Sequence, residues 1–154
     1  MSGTLQSWLA LAFFLALCAG AAGFGVMFRP GAWYGELVKP GWTPPNWLFP
    51  PVWTLLYIAI AVAGWLVWRA APTSSAMALW AAQLLFNAVW SWLFFGLNRI
   101  GLGFADIVLL WICIAGFVIA AWPVSTTASL LFVPYWIWVS YAGALNFAVW
   151  RLNG

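Results

Sequence analysis

Gln83, Asn87 and Ser91 recur every four residues in an otherwise apolar stretch, so on a helix they form a single line of amide and hydroxyl groups. Trp80 and Trp90 adjoin that face. Further along, Tyr135, Trp138, Ala142 and Asn146 make a comparable stripe. Earlier in the chain, Trp53, Tyr57, Ala61, Gly64 and Trp68 share one face on which large rings flank small residues. Two chemistries fit these stripes. One is hydrogen bonding between helices, the ordinary use of Asn, Gln and Ser inside membranes. The other is a cavity walled by aromatic rings with a few amides to orient its contents, which suits a large, flat, apolar ligand.

The tryptophans, fifteen in all, are the strongest compositional signal. Trp8, Trp68, Trp122 and Trp150 fall near the ends of apolar runs, where indoles anchor at the membrane interface. Trp90, Trp111 and Trp138 lie well inside such runs, and Trp33, Trp42 and Trp47 sit in or beside a Pro-rich connection. Asp106 is the single acidic residue within an apolar run, and a charged carboxylate at mid-bilayer costs roughly 2.5 to 3.5 kcal/mol on insertion scales. Pairing with Arg99 or with a polar group of the Gln83 line is its ordinary use, and a proton relay is the alternative.

Several reactive constellations are absent. There is no histidine, no pair of carboxylates within the apolar runs, no Ser-His or Cys-His set and no Gly-rich phosphate loop. Metal catalysis and hydrolysis are disfavoured, and no metal site is expected. A haem held by an axial histidine is excluded, whereas a porphyrin held by stacking is not. Cys18 and Cys113 lie in apolar runs without a CxxC partner and read as small buried hydrophobes. A net charge of +3 from five basic residues against Glu36 and Asp106 gives no basic stripe for nucleic acid.

These residues must be positioned inside a membrane. Of 154 residues, 67% are hydrophobic and 5% charged, far too little polar surface for a soluble domain. Each crossing takes roughly 20 residues, so five crossings with short connections nearly exhaust the chain. The fold class is therefore an all-α integral membrane protein, a single five-helix transmembrane bundle over residues 1–154. The expected spans are about 5–28, 47–69, 75–97, 101–122 and 128–151, with a connection at 29–46. The first run lacks a basic n-region and exceeds a signal h-region in length, so it reads as a crossing despite the small-residue stretch Ala19 to Gly23. Asn98-Arg99-Ile100-Gly101 forces the third and fourth spans into an antiparallel hairpin, and Pro134 should kink the fifth or mark an irregularity. Arg29, Lys39, Arg99 and Arg151 fall on one side and Arg69 on the other, which predicts the amino terminus outside and the carboxyl terminus inside.

The connection, read whole, is Trp33-Tyr34-Gly35-Glu36-Leu37-Val38-Lys39-Pro40-Gly41-Trp42-Thr43-Pro44-Pro45, followed by Pro51-Val52-Trp53-Thr54. With Gln83 to Asn87, Trp90-Ser91, Val133 to Trp138 and Leu145-Asn146-Phe147, it strongly resembles the TspO/MBR family over nearly the whole chain. Members are known as tryptophan-rich sensory protein, translocator protein or peripheral-type benzodiazepine receptor. The resemblance implies a membrane tetrapyrrole-binding sensor or transporter, often a homodimer, that takes protoporphyrin IX as ligand and requires no cofactor. Isoquinoline, benzodiazepine and sterol ligands are further implications. Carried onto matching positions, the ligand-binding walls would be Tyr34, Trp42, Trp53, Asn87, Trp90, Ser91, Trp138 and Ala142, beneath the connection. The sterol pattern of animal members needs a tyrosine where this chain has Phe147, which argues against a physiological sterol.

Three functions follow from these expectations. In the first, a tetrapyrrole stacks on Trp53 and Trp138, Asn87 and Ser91 bond its polar edge, and Arg29 or Lys39 pairs with its propionates. In the second, the protein is an enzyme that degrades porphyrin in light and oxygen, with Trp53 and Trp138 as the catalytic candidates. In the third it is a structural membrane partner, with small-residue pairs such as Ala12 with Ala16 and Ala78 with Ala82 permitting close helix contact.

Overall fold

The computed structural model describes residues 2–154, and among them every regular element is helical. The long helices are α1 (Ser2–Val26), α3 (Phe49–Ala70), α4 (Ser75–Ser91), α5 (Ile100–Ala121) and α6 (Thr126–Asn153). A short α2 (Ala32–Glu36) and a single 3₁₀ turn (Asn46–Leu48) lie in the connection between α1 and α3. Five segments, with α4 continuing to Gly96, are long and apolar enough to cross a membrane. The protein is an integral multi-pass membrane protein.

Local chemistry explains the helix ends. Arg29-Pro30-Gly31 follows α1, and Pro50 and Pro51 occupy the first turn of α3, where a missing N–H costs nothing. Ser74 caps α4 by accepting from the Met77 amide at 3.3 Å. Ser125 caps α6 by accepting from Ala128 at 3.2 Å, which starts that helix at Thr126 rather than Ala128. The hairpin between α4 and α5 turns on Asn98, whose φ of 55° lies in the left-handed region that asparagine tolerates.

The end of the third span departs from a regular helix. From Trp92 to Gly96 the backbone widens into a π turn, and the Leu97 amide donates to the Trp92 carbonyl at 2.8 Å. The wider turn re-aims successive side chains. Phe94 and Phe95 both face the bundle interior there. α6, by contrast, runs as one helix through Pro134.

The five long helices close a ring in the order α1, α3, α6, α5, α4, with the α4–α5 and α5–α6 seams the most extensive. One half of the ring is solid. Ile60, Ala63, Val67, Ala76, Ile114, Phe117 and Phe132 are wholly buried there, and the rings of Phe117 and Phe132 lie 3.9 Å apart between centroids. Gly64 lets Trp80 approach the α3 backbone and donate its indole N–H to the Ile60 carbonyl at 2.8 Å. The other half, beneath the α1–α3 connection, is hollow.

Candidate functional site

The hollow half is a cavity of about 810 Å³, within the range of small-molecule sites. The end of α1 and the turn after it (Ala22, Gly25, Phe28) and the start of α3 (Phe49, Trp53, Tyr57) form one side. The end of α4 (Asn87, Trp90, Ser91, Phe94, Phe95), the middle of α5 (Ile107, Leu110) and the second half of α6 (Trp138, Ala142, Asn146) form the other. Tyr34 of α2 and Arg29 stand at the mouth. Arg29 is the one charged side chain in this wall among the described residues, and its Nε donates to the Val26 carbonyl at 3.2 Å.

Of the residues expected from sequence, Tyr34, Trp53, Asn87, Trp90, Ser91, Trp138 and Ala142 border the cavity. Trp42 does not. Its ring is 48% exposed and packs edge-on against Tyr141 at 5.5 Å, on the outer side of α6. The Tyr141 hydroxyl donates to the Trp42 carbonyl and so ties the connection to α6 at this point. Trp80, which adjoined the polar line in sequence, belongs to the solid core.

The polar line itself divides between two roles. Tyr57 Oη donates to Asn87 Oδ1 at 2.6 Å, Asn87 Nδ2 to Tyr135 Oη at 2.7 Å, and Tyr135 Oη to Gln83 Oε1 at 2.9 Å. Gln83 Nε2 then donates to the Trp80 carbonyl at 2.9 Å. This chain ties α3, α4 and α6 together beneath the cavity, so Gln83 and Asn87 act first as interhelical bonds, and both atoms of the Asn87 amide are engaged. Ser91 stands outside the chain and borders the cavity, with its hydroxyl close to Gly25 of α1. On the same wall, Trp90 Nε1 donates to Asn146 Oδ1 at 3.0 Å, and Asn146 Nδ2 to the Ile100 carbonyl at 3.0 Å. Trp90 is thus fixed, with its ring stacked on Phe94 at 5.0 Å.

Asp106 contradicts its sequence expectation. It lies on the inner face of α5 with Gly103, Ile107 and Leu110, is 5% exposed, and its Oδ2 has no hydrogen-bond partner among the described residues. Arg99 precedes the helix and is exposed, so it lies away from that face. Sequence reasoning also passed over Phe49, Phe94 and Phe95 as wall residues. The two from the π turn carry no periodic signal, since the turn itself breaks the register.

The connection is strapped over the mouth. Asn153 near the end of α6 receives the Val38 amide on Oδ1 at 2.9 Å and donates Nδ2 to the Val38 carbonyl at 2.9 Å. Lys39 Nζ lies 4.5 Å from the centre of the Tyr34 ring and donates to the Leu37 carbonyl at 3.1 Å. Burial raises the Tyr34 phenol above its ordinary value, so it remains a neutral donor at physiological pH.

The sequence profile of the TspO/MBR family matches residues 10–151, almost the full chain. The chain belongs to the TspO/MBR family. Among similar proteins, "Protein CrtK" of Rhodobacter capsulatus is 44% identical over 146 residues, covering 92% of this chain and 91% of its own. The "Tryptophan-rich sensory protein" of Cereibacter sphaeroides is 40% identical over 148 residues, 96% of this chain and 94% of its own. The human "Translocator protein" is 36% identical over 126 residues, 79% of this chain and 75% of its own. The TspO/MBR match reaches into all five long helices and covers the connection, and every residue lining the cavity lies within it.

Proposed function

We propose that this TspO/MBR protein is a membrane receptor for a tetrapyrrole of the protoporphyrin IX type, acting as a sensor or transporter. The observation that carries the reading is the composition of the 810 Å³ cavity: a flat-walled chamber of Trp53, Trp90, Phe94 and Trp138 with a single guanidinium, Arg29, at its mouth. A planar macrocycle gains roughly 0.5 to 1.5 kcal/mol for each well-placed ring beyond area burial, and its carboxylates need a cation. Ser91 and Tyr34 carry the wall hydroxyls without a partner among the described residues, available to meet its polar edge. Arg29, Lys39, Arg99 and Arg151 all lie at the cavity end of the bundle, which supports an orientation with the amino terminus outside and the mouth facing in.

Light- and oxygen-dependent degradation of the macrocycle is a second reading, favoured by one observation: Trp53 and Trp138, the two indoles it requires, border the same cavity. Titration of detergent-solubilised protein with protoporphyrin IX in the dark, followed by tryptophan fluorescence and the Soret band, tests the first reading. Saturable quenching is expected, weakened by about two- to tenfold in Trp53→Phe and Trp138→Phe and unchanged in Trp42→Phe. Non-saturating quenching identical in all four proteins means partition into the micelle and overturns the receptor reading in favour of a partner protein. Product formed under illumination only when both indoles are present would establish turnover.

A further inference from the structure

Outside the cavity, a second hollow of about 520 Å³ runs along the outer seam between α3 and α6. Val52 and Leu55 line it from α3, and Pro134, Ile137 and Trp138 line it from α6. Leu55 and Ile137 are 69% and 65% exposed, so in a membrane this groove opens onto hydrocarbon. The Trp138 indole is the side chain common to the outer groove and the interior chamber.

That indole is not held by a hydrogen bond, a property it shares with Trp136. Trp65, Trp80, Trp90 and Trp111 each donate their ring N–H to a defined acceptor. Trp138 Nε1 is buried and has no partner among the described residues. Its ring rests on Phe49 edge-on at 5.7 Å and on Tyr141 at 6.1 Å, contacts that give way without breaking a hydrogen bond. One turn before it stands Pro134, which has no N–H to close the bond to Leu130 and so loosens α6 at the level of the groove.

We propose that the α3–α6 groove is a lateral doorway through which an apolar, membrane-dissolved ligand passes between the bilayer and the interior cavity, with the Trp138 indole as the moving leaf. The occupant is set by the groove's own chemistry: its walls are aliphatic, aromatic or proline, and its one hydroxyl, on Tyr141, is committed to the Trp42 carbonyl. A water-borne charged solute has no partner on this path. The strapped connection keeps the opposite, polar mouth covered, which leaves the seam as the apolar route. This inference rests on the cavity being a ligand site, though not on the ligand being a tetrapyrrole.

The test uses a reporter inside the cavity and a plug outside it. In a Cys18→Ala, Cys113→Ala background, Ala142→Cys puts a thiol in the chamber wall. The full-length protein in phospholipid nanodiscs is treated with N-phenylmaleimide, which dissolves in hydrocarbon, or with a charged methanethiosulfonate, which does not, and labelling is followed by mass spectrometry. Adding Leu55→Trp and Ile137→Trp fills the groove at two lipid-facing positions. The maleimide rate is expected to fall about tenfold, and Ile137→Ala to raise it, with the charged reagent indifferent to both. A maleimide rate unaffected by plug and by widening overturns the doorway and assigns entry to the strapped mouth. Each single tryptophan variant serves if the double variant is not monodisperse. Because no tetrapyrrole is used, a failed protoporphyrin titration with an intact plug effect overturns the receptor reading and leaves the doorway standing.

Discussion

Tyr135 carries the hydrogen-bond chain beneath the cavity, and removing its hydroxyl isolates what that chain contributes. The side chain has no solvent exposure, and its oxygen accepts from Asn87 Nδ2 at 2.7 Å and donates to Gln83 Oε1 at 2.9 Å. Tyr135→Phe keeps the ring against Phe132 and Trp53, opens only an atom-sized void, and strands Gln83 Oε1 in a site with no exposure. An unmet buried acceptor costs about 1 to 3 kcal/mol in soluble proteins, whereas interhelical bonds in membranes average about 0.6 kcal/mol with a ceiling near 1.7. Two bonds lost together therefore cost about 1 to 3 kcal/mol. Tyr57→Phe removes one bond of 2.6 Å from a residue that borders the cavity, where water can replace the partner, so its cost stays below about 1 kcal/mol. Both follow from titrating dodecylmaltoside-solubilised protein with sodium dodecyl sulfate and recording helicity by circular dichroism. A Tyr135→Phe variant within about 0.5 kcal/mol of wild type, or a Tyr57→Phe loss equal to it, would refute the claim that this chain holds α3, α4 and α6 together.

Gly64→Ala places a methyl 2.5 Å from Trp80 Cε2 and 2.9 Å from Phe14 Cδ1, and Trp80 cannot retreat without leaving the Ile60 carbonyl. A loss of about 1 to 3 kcal/mol in the same titration is expected, and an unchanged midpoint would mean that Trp80 has a second seat. Asn153→Ala removes the paired bonds to Val38 at the surface. Limited proteolysis within residues 37–45 should speed up by about two- to tenfold with global stability unaltered; an unchanged cleavage rate would show that the Tyr141 bond to Trp42 holds the connection alone.

The elements were largely legible because membranes leave the backbone few options: a long apolar run must become a helix that satisfies its own amides. Caps and prolines then placed the ends to within a few residues. Periodicity correctly put Gln83, Asn87 and Ser91 on one face, yet it could not divide them. Gln83 and Asn87 meet Tyr135 and Tyr57, which lie about fifty and thirty residues away in sequence. Ser91, one turn on, meets the cavity because the π turn beyond it opens the end of α4. Trp42 lies outside the cavity wall because its family motif specifies residues, while its ring packs against Tyr141 from the far end of the chain. Asp106 was expected to find a cation on the strength of proximity in sequence, but helical rotation turns it inward and leaves Arg99 at the surface.

Amino-acid order alone determined the membrane, the number of crossings, the hairpin at Asn98 and the aromatic faces, since each depends on hydrophobicity and spacing within one segment. Tertiary structure decided which rings are pinned by a hydrogen bond and which are free, which half of the ring is filled, and that Trp138 borders both the chamber and the outer groove. Those outcomes depend on how helices from distant parts of the chain meet, and no local period encodes the partner a side chain finds across that distance.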